Sequence, residues 1–181
     1  NIEVLTFYNE TMRRWIKQRF VIKDYLTMLK SLVAGDVRQF KKFFYDVTLH
    51  ALSAFDTGGN EPEKFYHALV LGMLVSLSES HEVISNRESG YGRYDIMIIP
   101  KNAGVPFAGI TGAPLNTSPA SPESRQKPGI IIEFKKIDRF ENEDLEKAAT
   151  SALKQIEERQ YQAQLEARGI KTIIKLAIVF E

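Results

Sequence analysis

Apolar side chains in residues 1–56 recur mostly at steps of three and four: Phe7, Trp15, Ile16, Phe20, Ile22, Tyr25, Leu26, Leu29, Leu32 and Val33. That spacing predicts helices. Gly35-Asp36 reads as a stop followed by a cap, and a further helix is expected from about Val37 to Phe55, apolar along Phe40, Phe43, Phe44, Val47, Leu49, Leu52 and Phe55. Asp56-Thr57-Gly58-Gly59-Asn60 is a loop and the best internal boundary. Asn60-Glu61-Pro62-Glu63 starts the next helix, with a capping Asn, an early Pro and a first-turn acid. It is expected to run to about Ser80 and, being apolar nearly all round, to be buried.

The period then changes to two. Glu82–Arg87 is a short strand candidate, Ser89-Gly90-Tyr91-Gly92 a turn, and Tyr94–Ile99 a strand ended by Pro100. Residues 101–128 hold five of the seven prolines, three glycines and five Ser or Thr, with no period, so they read as a long loop, either a lid or an insertion. Gly129–Ile137 is nearly continuous in apolar character, as a central strand is. Asn142 is expected to cap one long helix from Glu143 to about Arg168, closed by Gly169, before a last strand at Lys171–Phe180. That strand returns through a helix and should lie parallel to its neighbour. The expected organisation is a helical annex over 1–58 and an α/β core over 59–181, with the 101–128 loop inserted.

Composition narrows the function classes. The 181 residues are 44% hydrophobic and 26% charged, which is globular usage, and no apolar run is long enough to span a membrane. There is no cysteine, which removes disulfides, thiolate metal sites and cysteine nucleophiles and suits a reducing, cytoplasmic setting. The net charge of +1 excludes binding to nucleic acid by bulk charge. The charge is uneven: residues 1–60 carry nine Lys and Arg against six Asp and Glu, and residues 61–181 fifteen against seventeen. Asn1-Ile2-Glu3-Val4-Leu5, without an initiator Met, reads as the interior of a longer chain.

Candidate chemistry sits on the strands. Alternation puts Ile131, Glu133 and Lys135 on one face and Ile130, Ile132 and Phe134 on the other. Asp95, likewise a lone charge on an apolar strand, shares a face with Met97 and Ile99. Buried charges need a partner or a metal. Two converging carboxylates demand a cation, which a divalent metal supplies or which Lys135 supplies as a plain ion pair. Spacing leaves both open. Glu63 and His67 are four apart on one helix face, either as a surface pair or beside a metal. His50 and His81 carry no supporting pattern. Arg13, Arg14, Lys17, Arg19 and Lys23 form a partly basic helical face, suited either to solvent or to a phosphate backbone.

With these residues in place, the chain resembles the PD-(D/E)XK nuclease superfamily. The order helix, three strands, helix, strand matches its restriction-endonuclease-like core, and Asp95 with Glu133-Phe134-Lys135 matches its motif. Phe65-Tyr66-His67, the run Ser85–Asp95, and Ala152–Ile156 with Tyr161 are similar to the nuclease-type domain at the C-terminus of bacterial AAA-ATPase-like proteins. Tyr94 stands where the superfamily's name has Pro, and the 101–128 loop is longer than its usual link. The resemblance implies a metal-dependent nuclease acting on DNA. Asp95 and Glu133 would hold Mg²⁺ or Mn²⁺, with Glu63 or His67 a further ligand, and Lys135 would complete the catalytic set. Gln155, Tyr161, Arg87 and Arg93 would contact nucleic acid. An N-terminal ATPase-like domain in the same longer chain is the implied partner. The alternative is a catalytically silent nucleic-acid-binding or regulatory module on the same fold.

Overall fold

The computed structural model describes residues 10–11, 14, 16–18, 21–52, 62–101, 127–137 and 144–180. Helix α1 spans Ile22–Ala34, α2 Val37–Leu52 and α3 Pro62–Met73, followed by a 3₁₀ turn at Leu74–Leu77. Strands β1 (His81–Ser89), β2 (Gly92–Pro100) and β3 (Gly129–Lys136) come next, then α4 (Leu145–Glu158), the short α5 (Ala163–Ala167) and β4 (Ile173–Phe180). The first helix ends as its sequence requires. Gly35 takes φ +80°, its N–H bonds Leu32 and Ser31 carbonyls, and Asp36 Oδ1 accepts from Gln39 N at 2.9 Å to start α2.

The four strands form one mixed sheet in the order β1-β2-β3-β4. β1 and β2 pair antiparallel, as do β2 and β3, and β3 and β4 pair parallel, as the helical return requires. This is the expected helix, three strands, helix, strand arrangement. The sheet divides the apolar core in two. On one side Ile96, Ile98, Ile130, Ile132, Phe134, Leu176 and Phe180 pack with the helices that precede the sheet, among them Tyr25, Met28, Leu29, Phe40 and Leu69. Tyr25 Oη donates to Met73 O at 2.5 Å and ties α1 to α3. On the other side Ile84, Met97, Ile99 and Ile131 pack with Ile156, Tyr161 and Leu165.

Three expectations need correction. The helix after residue 60 gives way to the 3₁₀ turn at Leu74, short of Ser80. The strand expected at Glu82–Arg87 is nine residues long. The helix expected from Glu143 to Arg168 is two. α4 begins after Asp144, whose side chain accepts from Lys147 N at 2.8 Å, and it ends at Glu158. Gln160 then takes φ +53°, which no continuing helix permits. Asn60, Asn142, Arg13 and Arg19, the side chains of His50 and Glu63, and the loop residues 102–126 lie outside the described residues.

Candidate functional site

The site begins where two strands part. β2 and β3 pair through Ile98↔Ile130, Met97↔Ile131 and Ile96↔Ile132, and the pairing ends there. The next opposed residues are Asp95 and Glu133. Instead of a ladder bond, the Phe134 N–H donates to Asp95 Oδ2 at 2.8 Å. A carboxylate thus takes up a backbone donor that the separating strands would leave unpaired. The ladder also lapses on the other side of Asp95. β1 pairs with β2 at Ser85↔Ile96 and Arg87↔Tyr94, while Asn86, between them, has φ +52°. Asn tolerates that region better than most residues. Side-chain alternation breaks here too, because Tyr94 packs in the same cluster as Met97 and Ile99.

Glu133 is 5% exposed. Its Oε1 accepts a short hydrogen bond from Gln155 Nε2, and its Oε2 is buried with no hydrogen-bond partner among the described residues. Burial pushes its carboxyl up to about 8, and the charge of Asp95 adds to the rise. The Asp95 backbone N–H, Lys135 and the Gln155 amide pull back against that rise. Burial also raises Asp95, opposed by the Phe134 N–H and by the field of His67. Two carboxyl groups held above their ordinary values by burial and, at Glu133, by the neighbouring acid's charge mark a place that favours a cation.

His67 comes in from α3. Its ring lies edge-on to Phe134, with centroids 5.5 Å apart, and its Nε2 is buried without a partner among the described residues. Among the described residues no three His, Asp or Glu side chains converge. Asp95 and Glu133 are therefore the carboxylate pair of the site, with the His67 imidazole near it. A pair of carboxylates with one orphaned oxygen suits a hard divalent cation, which takes oxygen ligands and keeps several waters. Lys135 is half-buried on β3 and its charge reaches Glu133, yet it forms no ion pair among the described residues. The plain salt bridge that spacing left open is not what the structure holds.

Gln155 and Tyr161 do meet, though not on one helix. Gln155 lies on α4, and Tyr161 lies in the turn after it. Gln155 Nε2 reaches Tyr161 Oη at 3.4 Å, so one amide links the Tyr hydroxyl to Glu133. Tyr161 is buried edge-on to Tyr94, whose Oη donates to Gln164 Oε1 at 3.2 Å. Arg87 and Arg93 are exposed on the β1–β2 hairpin and form no ion pair among the described residues. Arg14, Lys17 and Lys23 are exposed.

The tip of that hairpin was legible only as a turn, and it does more. Ser89 Oγ donates to Tyr161 O at 2.9 Å, Tyr91 N donates to Arg159 O at 2.7 Å, and Arg159 Nη1 donates to Tyr91 O at 3.0 Å. The hairpin tip therefore docks on the turn that carries Tyr161. Gly90, at φ +61°, is what allows the approach: a Cβ there would stand 2.1 Å from Arg159 O and 2.5 Å from Gln160 O. Gly90→Ala is expected to cost about 2–4 kcal/mol, strain and clash together, and to lower Tm by roughly 5–15 °C in a chain of this size. Gly169 has φ +76° with nothing within 4 Å of its Cβ position. Gly169→Ala should thus lose only the conformational part, ~1 kcal/mol. Equal Tm losses in the two variants would remove the docking role.

A family model described as the PD-(D/E)XK nuclease superfamily matches residues 61–110 and 115–181 of the chain. No curated protein and no solved structure gives a significant match.

Proposed function

Since the chain belongs to the PD-(D/E)XK nuclease superfamily, we propose that it is a Mg²⁺- or Mn²⁺-dependent nuclease that hydrolyses phosphodiester bonds in DNA. The observation that carries the proposal is the Asp95–Glu133 pair at the point where β2 and β3 separate, with Glu133 Oε2 buried and unpartnered.

In this reading Asp95 and Glu133 hold the cation, and the Phe134 carbonyl and His67 are available beside them. A bound Mg²⁺ or Mn²⁺ supplies Lewis acidity toward a water and the phosphate oxygens. Phe134 N–H fixes one Asp95 oxygen, so the other is free to face the ligand. Gln155 fixes Glu133 Oε1 and leaves Oε2 for the same purpose. Lys135, which forms no ion pair among the described residues, orients the attacking water or offsets the charge that grows on phosphate. Arg87 and Arg93 hold the phosphate backbone, where most nucleic-acid affinity arises. The resemblance to ATPase-linked chains supports a further proposal, that an ATPase-like domain precedes this one in a longer protein.

The test is a panel of labelled single- and double-stranded DNA and RNA, incubated with Mg²⁺ or Mn²⁺. Asp95→Ala and Lys135→Ala run in parallel. Metal-dependent cleavage of DNA, lost in both variants, is the expected result. Equal trace cleavage in all three proteins, or none in any, would overturn it.

A further inference from the structure

Of the large hydrophobic side chains exposed among the described residues, Tyr91 is the most exposed, at 70%. Its backbone is the opposite of free. The N–H is bonded to Arg159 O and the carbonyl to the Arg159 guanidinium, and glycines stand on both sides. An aromatic ring is thus held out into solvent on a pinned turn. With the backbone fixed in this way, only the side-chain rotamers are left to be ordered when the ring binds.

The surroundings define what it fits. Arg87 and Arg93 are exposed on the same hairpin, and Arg159 lies directly beneath the tip. Three arginines on the hairpin and beneath it outnumber its exposed acid, Glu88, opposite Arg93, and a positive tip with a projecting aromatic ring matches a phosphate backbone with a base to stack. The tip is also close to the carboxylates. A Cβ at Gly92, the next residue, would stand 3.2 Å from Tyr161 Oη, and that hydroxyl is 3.4 Å from the amide that holds Glu133.

We propose that Tyr91 stacks on an unpaired base next to the phosphate at the Asp95–Glu133 site, which makes single-stranded nucleic acid the favoured ligand of the hairpin tip. This rests on the nuclease reading above. Inside a duplex each base face is covered by its neighbours, so a ring on a rigid turn finds no free face there. In a single strand every base offers one, whatever the sequence.

The test measures fluorescence anisotropy of labelled oligodeoxynucleotides in EDTA, as single strand and as duplex, with the parent chain, Tyr91→Phe and Tyr91→Ala. A second strand carries a fluorescent adenine analogue whose emission falls when it stacks. Tyr91→Ala should lose roughly 5- to 150-fold in single-strand affinity, and Tyr91→Phe should stay within about twofold. The emission change should persist in Tyr91→Phe and vanish in Tyr91→Ala, with duplex affinity unaltered. Single-strand affinity retained in Tyr91→Ala overturns the inference while leaving the nuclease intact. So does an equal loss on both ligands. If the parent neither binds nor, with Mn²⁺, cuts any nucleic acid, the nuclease reading fails and takes the stacking contact with it.

Discussion

Glu133→Gln should abolish Mn²⁺ binding and cut cleavage by roughly 10³-fold or more, and it should make the metal-free protein more stable at pH 8. The two effects have one source. Glu133 is buried, opposes Asp95 and leaves Oε2 without a partner, so its carboxyl is pushed up to about 8. The interval from an ordinary Glu to about 8 caps the cost of ionising it in place at roughly 5 kcal/mol. A group raised on folding contributes stability that is complete below its unfolded value and is lost as pH climbs through its folded one. The metal-free parent should therefore lose Tm between about pH 4.5 and 8, and Glu133→Gln should flatten that slope. The Gln keeps an acceptor for Gln155 and removes the charge. It also removes the anion a cation needs, and losing several kcal/mol of charge stabilisation at phosphate corresponds to the expected fall in rate. In the parent, Glu133 must shed its proton before it can hold a cation, so Mn²⁺ affinity should rise with pH over the same range. Asp95→Asn should lose cleavage equally but gain less stability, because burial alone raises Asp95, whereas at Glu133 the neighbouring acid's charge adds to it. Calorimetry at pH 5 and 8, with and without Mn²⁺, reads all of this. A Glu133→Gln protein that still cuts, or is less stable than the parent at pH 8, would sink the assignment.

The carboxylates were legible because strands hide them poorly. A lone Asp and a lone Glu-x-Lys in runs otherwise Ile-rich stand out at a period of two, and the same period marks out the strands that carry them. Sequence could not show what each carboxylate leans on. The partner of Asp95 is a backbone N–H, that of Phe134, which exists as a free donor only because β2 and β3 part there. The end of α4 was equally hidden. Glu157-Glu158-Arg159-Gln160 holds neither Gly nor Pro, and local preference would continue the helix. It stops because the Arg159 carbonyl is taken by Tyr91 N and the Tyr161 carbonyl by Ser89 Oγ, from residues about seventy positions away. The Ser-Gly-Tyr-Gly run was conspicuous as a turn, but its job of seating Tyr161, and through Gln155 of bracing Glu133, is a tertiary fact. Tyr94 fell on the unexpected face for the same kind of reason: alternation assumes a regular ladder, and Asn86 at φ +52° interrupts it opposite Asp95.

Lys135→Ala should lower kcat about 10²- to 10³-fold, the loss that follows removal of one fixed charge from a developing anion, and should leave Mn²⁺ bound. Lys135 sits two residues from Glu133 on the same strand, and its charge opposes the rise of that carboxyl. Two consequences for the metal follow, of opposite sign. Without the lysine, Glu133 is harder to ionise, which weakens binding below about pH 8. A neighbouring positive charge has also gone, which strengthens it. Only above the variant's own Glu133 value, which lies higher than the parent's about 8, does the second stand alone, so Mn²⁺ affinity there should equal or exceed the parent's while turnover stays low. Stability should change by less than about 1 kcal/mol, since the side chain is half-buried and forms no ion pair among the described residues. Lys135→Arg separates charge from shape. It restores the charge on a planar fork that is not interchangeable with a compact ammonium, and so should recover only part of the rate. Isothermal titration with Mn²⁺ over a pH series that reaches above 8.5, set beside single-turnover cleavage, distinguishes a residue that acts on the reacting phosphate from one that merely holds the carboxylates. Loss of Mn²⁺ affinity in parallel with rate would assign Lys135 to the second role, and cleavage at the parent's rate would assign it to neither.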